Sequence, residues 1–157
     1  MDKPCEIRKY GDSNYCIFKA MFKDYFLTDL KIKLTDAQFD EVCAEIVQSV
    51  EKQIGFLDLL FINSFARGFV NYQVDTPASN WCERENWGFI REIYIAADIR
   101  GQGYGKELAE YAENMLWKLK VPNIYLTTDD AKYFWFKMGY RDTGEICAKN
   151  DGFILIK

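Results

Sequence analysis

Arg100-Gly101-Gln102-Gly103-Tyr104-Gly105 places three glycines at alternate positions just before an apolar-periodic segment, and no other stretch of the chain has a composition so suited to holding an anion. Glycine removes side chains where the backbone must turn sharply and lets a bulky anion come close to the amides. Behind the loop, Leu108, Ala109, Ala112, Met115, Leu116 and Leu119 repeat at helical spacing, and Pro122 lies just past the end. The unpaired N–H groups and the positive dipole end at such a helix start favour a pyrophosphate, with Arg100 and Lys106 adding charge.

Other phosphate motifs fit this spacing badly. A dinucleotide fingerprint needs Gly or Ala where Lys106 stands, and an acidic residue about twenty positions on, where the chain has Lys120-Val121-Pro122. No GKS or GKT triplet is present for a Walker loop. A glycine turn without a ligand is the plain alternative, but three glycines and an arginine between a strand and a helix exceed what a turn requires.

A second candidate lies just upstream. In a strand over residues 87–95, alternation puts Ile90, Glu92 and Tyr94 on one face and Phe89, Arg91, Ile93 and Ile95 on the other. A carboxylate among apolar neighbours is costly to bury, and burial raises its pKa. Such a group suits an amine nucleophile, which is mostly protonated near neutral pH and must lose a proton before it attacks. The alternative is an ion pair between Glu92 and a Lys or Arg of a neighbouring strand.

The elements that would carry these groups follow from changes of period. Residues 5–10 read as a strand, and Gly11-Asp12-Ser13-Asn14 as a turn into a helix bearing Phe18, Met21, Phe22 and Tyr25, with Ile17 and Phe26 beside them. Thr35-Asp36-Ala37-Gln38 has the form of a capping box, followed by Phe39, Val42, Cys43, Ile46, Val47 and Val50 at helical spacing. Strands follow over 56–62, 68–74 and 87–95, with a long surface loop over 75–86. Past the glycine loop and its helix come a strand over 124–128, a short helix over 131–138 closed by Gly139, and a hairpin of 140–146 with 153–156 around Asn150-Asp151-Gly152. The order β-α-α-β-β-β-α-β-α-β-β gives an α/β fold with a mixed, mainly antiparallel sheet flanked by helices.

Bulk properties narrow the function. A chain of 157 residues with 49% hydrophobic and 17% aromatic content suits a single domain over 1–157. It has no histidine, which removes Ser-His-Asp and Cys-His catalysis, and its five scattered cysteines without a CxxC pair read as reduced, mostly core thiols with no metal site. No stretch approaches the roughly 18 apolar residues of a membrane span, and the charged start over residues 1–8 is unlike a signal peptide, so a cytoplasmic location is expected. The net charge of −4 disfavours nucleic acid and is compatible with an amine substrate.

Arg100-x-x-Gly103-x-Gly105, with Ile93-Tyr94-Ile95 before it, resembles the acyl-CoA signature of the GNAT superfamily of N-acetyltransferases, and the element order is similar over essentially the whole chain. The resemblance implies acetyl-CoA as acyl donor, with the main chain of Ile93, Tyr94 and Ile95 along the pantetheine arm and residues Arg100, Gly101, Gln102, Gly103, Tyr104, Gly105 and Lys106 around the pyrophosphate. It also agrees with Glu92 as the base. Where the family often has Asn-x-x-Ala-x-x-x-Tyr-x-x-x-Gly-Phe, this chain has Thr128-x-x-Ala131-x-x-x-Trp135-x-x-x-Gly139-Tyr140. Thr128 and Trp135 then occupy the cofactor-side positions. An indole is a donor but not a proton-transfer acid, so the usual acid for the leaving thiolate is missing, and Tyr133 projects elsewhere.

Tyr25 and Phe26 end the helix where the family builds its acceptor pocket, and Trp81, Glu83 and Trp87 flank the long loop as further acceptor contacts. Aromatics at helical spacing also serve as core, and tryptophans also anchor loops. The resulting expectation is direct acetyl transfer to a primary amine of a small molecule or peptide, with no metal, membrane or nucleic-acid partner. A homodimer through sheet contacts is compatible with the fold. The alternative is a non-catalytic acyl-CoA-binding or sensing module.

Overall fold

The computed structural model describes residues 5–157, so the first four residues of the charged start lie outside the described residues. In chain order the elements are β1 (Cys5–Lys9), α1 (Tyr15–Asp24), α2 (Asp36–Glu51), β2 (Gly55–Ile62), β3 (Phe65–Val74), β4 (Gly88–Ile95), α3 (Tyr104–Lys118), β5 (Ile124–Thr128), α4 (Lys132–Lys137), β6 (Arg141–Ile146) and β7 (Phe153–Ile156). The order is the one read from the sequence. The seven strands form one sheet in the order β1-β2-β3-β4-β5-β7-β6, in which β4 and β5 are parallel and the other neighbours antiparallel.

The two faces of the sheet bury separate sets of helices. Phe18 and Phe22 of α1 and Phe39, Cys43 and Ile46 of α2 pack on Leu57, Leu59, Phe69 and Tyr94. On the other face Leu108, Ala112 and Leu116 of α3 and Trp135 of α4 pack on Leu60, Val70, Tyr72, Ile90 and Leu126. Each fully buried apolar side chain contributes on the order of 1.5–3 kcal/mol, which is why two amphipathic faces suffice to fix the helices. The capping box at α2 is formed in both directions, Gln38 N–H to Thr35 Oγ1 at 3.2 Å and Thr35 N–H to Gln38 Oε1 at 2.9 Å.

Some local expectations need correction. Ile17 is 44% exposed and Leu119 51% exposed, because Ile17 lies off the buried stripe of α1 and Leu119 falls after α3 has ended. Of the five cysteines only Cys43 and Cys147 are buried, and all are free. The 75–86 segment is more than a surface loop. Asp75 is 0% exposed and accepts from Tyr125 Oη at 2.5 Å, Glu83 N–H at 2.9 Å, Arg84 N–H at 3.0 Å and Gln73 Nε2 at 2.9 Å. Among the described residues no helix is long and apolar enough to cross a membrane.

Candidate active site

The site begins where two strands part. β4 and β5 pair only at Gly88–Ile124 and Phe89–Tyr125, yet β4 runs on to Ile95 and β5 to Thr128. A cleft of about 660 Å3 opens between them. Ile90 to Ile93 form one wall and Leu126 to Thr128 the other. Trp135 of α4 closes one side, and Tyr25, Phe26 and the turn after α1 close another.

A bulge in β4 sets which side chains enter the cleft. Asn71 pairs with Glu92 and Tyr72 with Ile90, so Arg91 is an extra residue with no partner on β3. The simple alternation expected for this strand therefore fails at Ile90, which joins Ile93 and Ile95 on the α3 face while Tyr94 packs on the α1 face. Glu92 stays on the side of Tyr94 and lines the cleft. No Lys or Arg among the described residues forms an ion pair with it. Its partner is Tyr25, whose hydroxyl donates to Oε2 at 2.5 Å. Burial raises the Glu92 carboxyl above the usual range, with the Tyr25 bond and the Arg91 charge pulling back. Burial, then the adjacent carboxylate, pushes the Tyr25 phenol well above its ordinary value, so Tyr25 keeps its proton.

The position of Tyr25 depends on how α1 ends. Its last turn widens over Tyr25–Asp29, with Leu30 N–H donating to Tyr25 O at 3.1 Å, and Phe26 packs on Phe22 and Phe39. The preceding Asp24, the last residue of α1, accepts from Tyr94 Oη at 2.5 Å, so Asp24 and the adjoining Tyr25 hold alternate residues of β4.

The loop 100–106 continues from this wall. Gly101 and Gly103 have φ of 77° and 90°, and a Cβ on either would meet nothing within 4 Å. Gly105 lies against the Phe134 ring and Ile95. Among the described residues none of the main-chain N–H groups of 101–106 has a hydrogen-bond partner, and α3 has no side-chain cap. Gln102 is exposed and Tyr104 packs partly on the core. Arg100 lines the cleft, but its charge is matched locally: Nε donates to Ile95 O at 2.8 Å and a terminal nitrogen to both oxygens of Asp29 at 2.8 and 2.9 Å. Lys106 is exposed, 3.8 Å from Glu110.

The sequence matches the model of the acetyltransferase (GNAT) family over residues 16–140. The chain belongs to the GNAT acetyltransferase family. Among solved structures, it is similar to the PaiA N-acetyltransferase of Thermoplasma acidophilum in complex with coenzyme A, at 17% identity and TM-score 0.75 over 98% of both chains. It is also similar to Naa50 of Arabidopsis thaliana in complex with a bisubstrate analogue, CoA-Ac-MVNAL, at 18% identity and TM-score 0.66 over 98% of this chain and 97% of the other. Aminoglycoside N-acetyltransferase AAC(6')-Iy in complex with CoA is similar at 14% identity and TM-score 0.67, over 88% and 86%. At these identities the likeness concerns the fold. No curated protein sequence matches.

Within this GNAT chain the structure gathers eight of the site residues singled out by sequence into the cleft, while Gly101 to Lys106 lie beyond its lining. Glu92, Ile93, Arg100, Thr128, Trp135, Tyr25, Phe26 and Trp81 all line one cleft. Thr128 Oγ1 also accepts from Ala131 N–H at 3.2 Å at the start of α4, and Trp135 is buried between Phe134 and Tyr140. Tyr94 and Ile95 turn their side chains into the two cores. Trp87 is not part of the cleft; it packs near Phe89 and Tyr125, with Arg84 at 5.0 Å from its ring. Sequence reasoning missed Asn150 and Gly152, which line the cleft from the turn before β7. They carry no signal beyond turn chemistry.

Proposed function

We propose that this GNAT chain is an N-acetyltransferase that moves an acetyl group from acetyl-CoA to a primary amine of a small molecule or peptide by direct transfer, with Glu92 as the base. The observation that carries the reading is the run of unpartnered main-chain N–H groups at 101–106 directly beyond an open β4 edge. A pyrophosphate needs free donors and a close approach; the N–H groups of 101–106 are free among the described residues, and the open space over Gly101 and Gly103 allows the approach. A pantetheine arm needs strand-like polar partners and a narrow passage, which the free edge of β4 and the cleft between β4 and β5 offer. Acetyl-CoA supplies an activated thioester carbonyl and a thiol leaving group. The likeness to chains named as N-acetyltransferases, one with a peptide-bearing analogue and one acting on aminoglycosides, supports an amine acceptor.

The protein side of the chemistry rests on a few groups. Tyr25 occupies Oε2 of Glu92 and leaves Oε1 available to take a proton from an ammonium group. The raised carboxyl makes Glu92 a better proton acceptor than an exposed glutamate once it is ionised. A main-chain N–H on the free edge of β4 would stabilise the oxyanion. Tyr25 is the only tyrosine that lines the cleft among the described residues, and it keeps its proton on Glu92. The thiol therefore leaves as thiolate without a dedicated acid, which a pKa of about 8.5 allows.

Calorimetry with acetyl-CoA tests the reading: saturable binding is expected, and none would remove it. A second reading, an acyl-CoA-binding or sensing module without turnover, is favoured by the buried Trp135 in the position of the usual tyrosine. Release of free thiol that depends on an added amine separates the two, since a sensor releases none.

A further inference from the structure

We propose that the acceptor is a small amine that also bears a carboxylate, selected by Arg91 with Trp81 and Lys149. The proposal rests on the transferase reading above and concerns the wall of the cleft beside Glu92. Arg91 is the extra residue of the β4 bulge, adjacent to Glu92 in sequence, and its side chain lines the same cleft. Its guanidinium lies 5.9 Å from the centroid of the Trp81 ring, and Nζ of Lys149, an exposed residue outside the cleft lining, lies 4.8 Å from the same centroid. Trp81 Nε1 is a buried donor without a hydrogen-bond partner.

Among the described residues neither Arg91 nor Lys149 has an ion-pair partner, whereas nearby Arg84 and Lys132 are matched by Glu145 and Asp142. Of the acids that share the cleft, Glu92 feels the Arg91 charge but is bonded to Tyr25, Asp29 is bonded to Arg100, and Asp129 and Asp130 follow β5 on the facing wall. Two cations gathered on one indole repel each other, and in a chain of net charge −4 that concentration departs from the average. A carboxylate in the cleft would neutralise the guanidinium, which can hold it through two bonds, with Lys149 adding a longer-range attraction. Arg91 and Glu92 both line the cleft, so an anion on the first and an amine on the second would share one wall, as on a small amino acid.

Matched pairs test this: glycine, β-alanine and L-phenylalanine against their carboxamides, by acetyl-CoA-dependent thiol release in wild type, Arg91→Met and Lys149→Met. The carboxamides have less basic amines and start with the advantage, so a preference for the carboxylate is informative. The expected result is a preference of about tenfold or more in kcat/KM, mainly through KM, that collapses in Arg91→Met and shrinks in Lys149→Met. Equal use of both members, or a preference that survives Arg91→Met, overturns the proposal. A second readout does not depend on turnover. In an amide-nitrogen NMR spectrum, with the Trp81 indole signal assigned from Trp81→Phe, β-alanine should move that signal and β-alaninamide should not. If it does so without thiol release, the carboxylate site stands and the transferase reading falls. If neither ligand moves it while other amines are acetylated, the reverse holds.

Discussion

Tyr25 and Glu92 lie 67 residues apart in the chain and meet in a 2.5 Å hydrogen bond from phenol to carboxylate at the wall of the cleft. The bond joins the end of α1 to the middle of β4, and the neighbouring Asp24–Tyr94 bond repeats the connection. It leaves one carboxylate oxygen free and draws the Glu92 pKa down against the upward push of burial.

The kinetic consequence follows from that balance. Glu92→Gln should lower kcat by roughly 10²–10⁴-fold, the usual worth of a positioned base, with little change in acetyl-CoA affinity. Tyr25→Phe removes a bond that favours the ionised form, so the Glu92 pKa should rise further and the acidic limb of the kcat/KM profile should move to higher pH. A pH profile measured from about 4.5 to 9 on both variants checks this. A Tyr25→Phe profile with an unmoved or lower acidic limb would contradict the assigned role of Tyr25.

The same carboxyl should weaken the fold at neutral pH. Because its folded pKa is above the unfolded value of about 4.3, the native state holds the proton more tightly, and stability declines as pH rises from that value through the raised one. Glu92→Gln has no such decline. Its melting temperature should equal or fall below wild type at pH 4 and exceed it at pH 7, with the gap widening in between. Calorimetric melting across that range decides it, and a gap that narrows with pH would show that the carboxylate is stabilising.

Much of this arrangement was legible in the sequence because it depends on local chemistry. The glycine loop, the Thr35 capping box and the changes of period each report residues a few positions apart, and the element order followed from them. The bulge at Arg91 was not legible, since the extra residue is not a glycine and leaves no mark in the alternation; only the register with Asn71 and Tyr72 reveals it. Trp81 and Trp87 look alike in sequence, yet only the first reaches the cleft. The Gln73 Nε2 bond to Trp81 O at 2.7 Å, which helps to place it, spans a segment with no periodicity at all.

Asp75 explains why that segment has a fixed shape, and it supplies a stability prediction. Four donors converge on its carboxylate, two of them main-chain N–H groups of the loop. Asp75→Asn keeps the size but replaces an acceptor with a donor, setting N–H against N–H or O–H. With about 1–3 kcal/mol for each buried donor left unpaired, a loss of about 3 kcal/mol is expected. That corresponds to a fall of roughly 6–12 °C in melting temperature for a chain of this size. Near-ultraviolet circular dichroism should also change as Trp81 loosens. A melting temperature within about 2 °C of wild type would mean that the loop does not depend on Asp75.

Gly103 separates fold from function at the loop itself. Its φ of 90° is a strained value for any residue with a Cβ, and the space over it is open. Gly103→Ala should therefore destabilise the protein by only about 1 kcal/mol, the cost of the backbone conformation, because the new methyl meets no neighbour. If the free N–H groups of 101–106 hold a pyrophosphate, that same methyl stands in the path of the anion, and acetyl-CoA affinity should drop by roughly tenfold or more, well beyond the effect on stability. Denaturant unfolding and calorimetry on one variant give both numbers. A variant that loses stability as expected but binds acetyl-CoA like wild type would show that the anion does not approach the loop at Gly103.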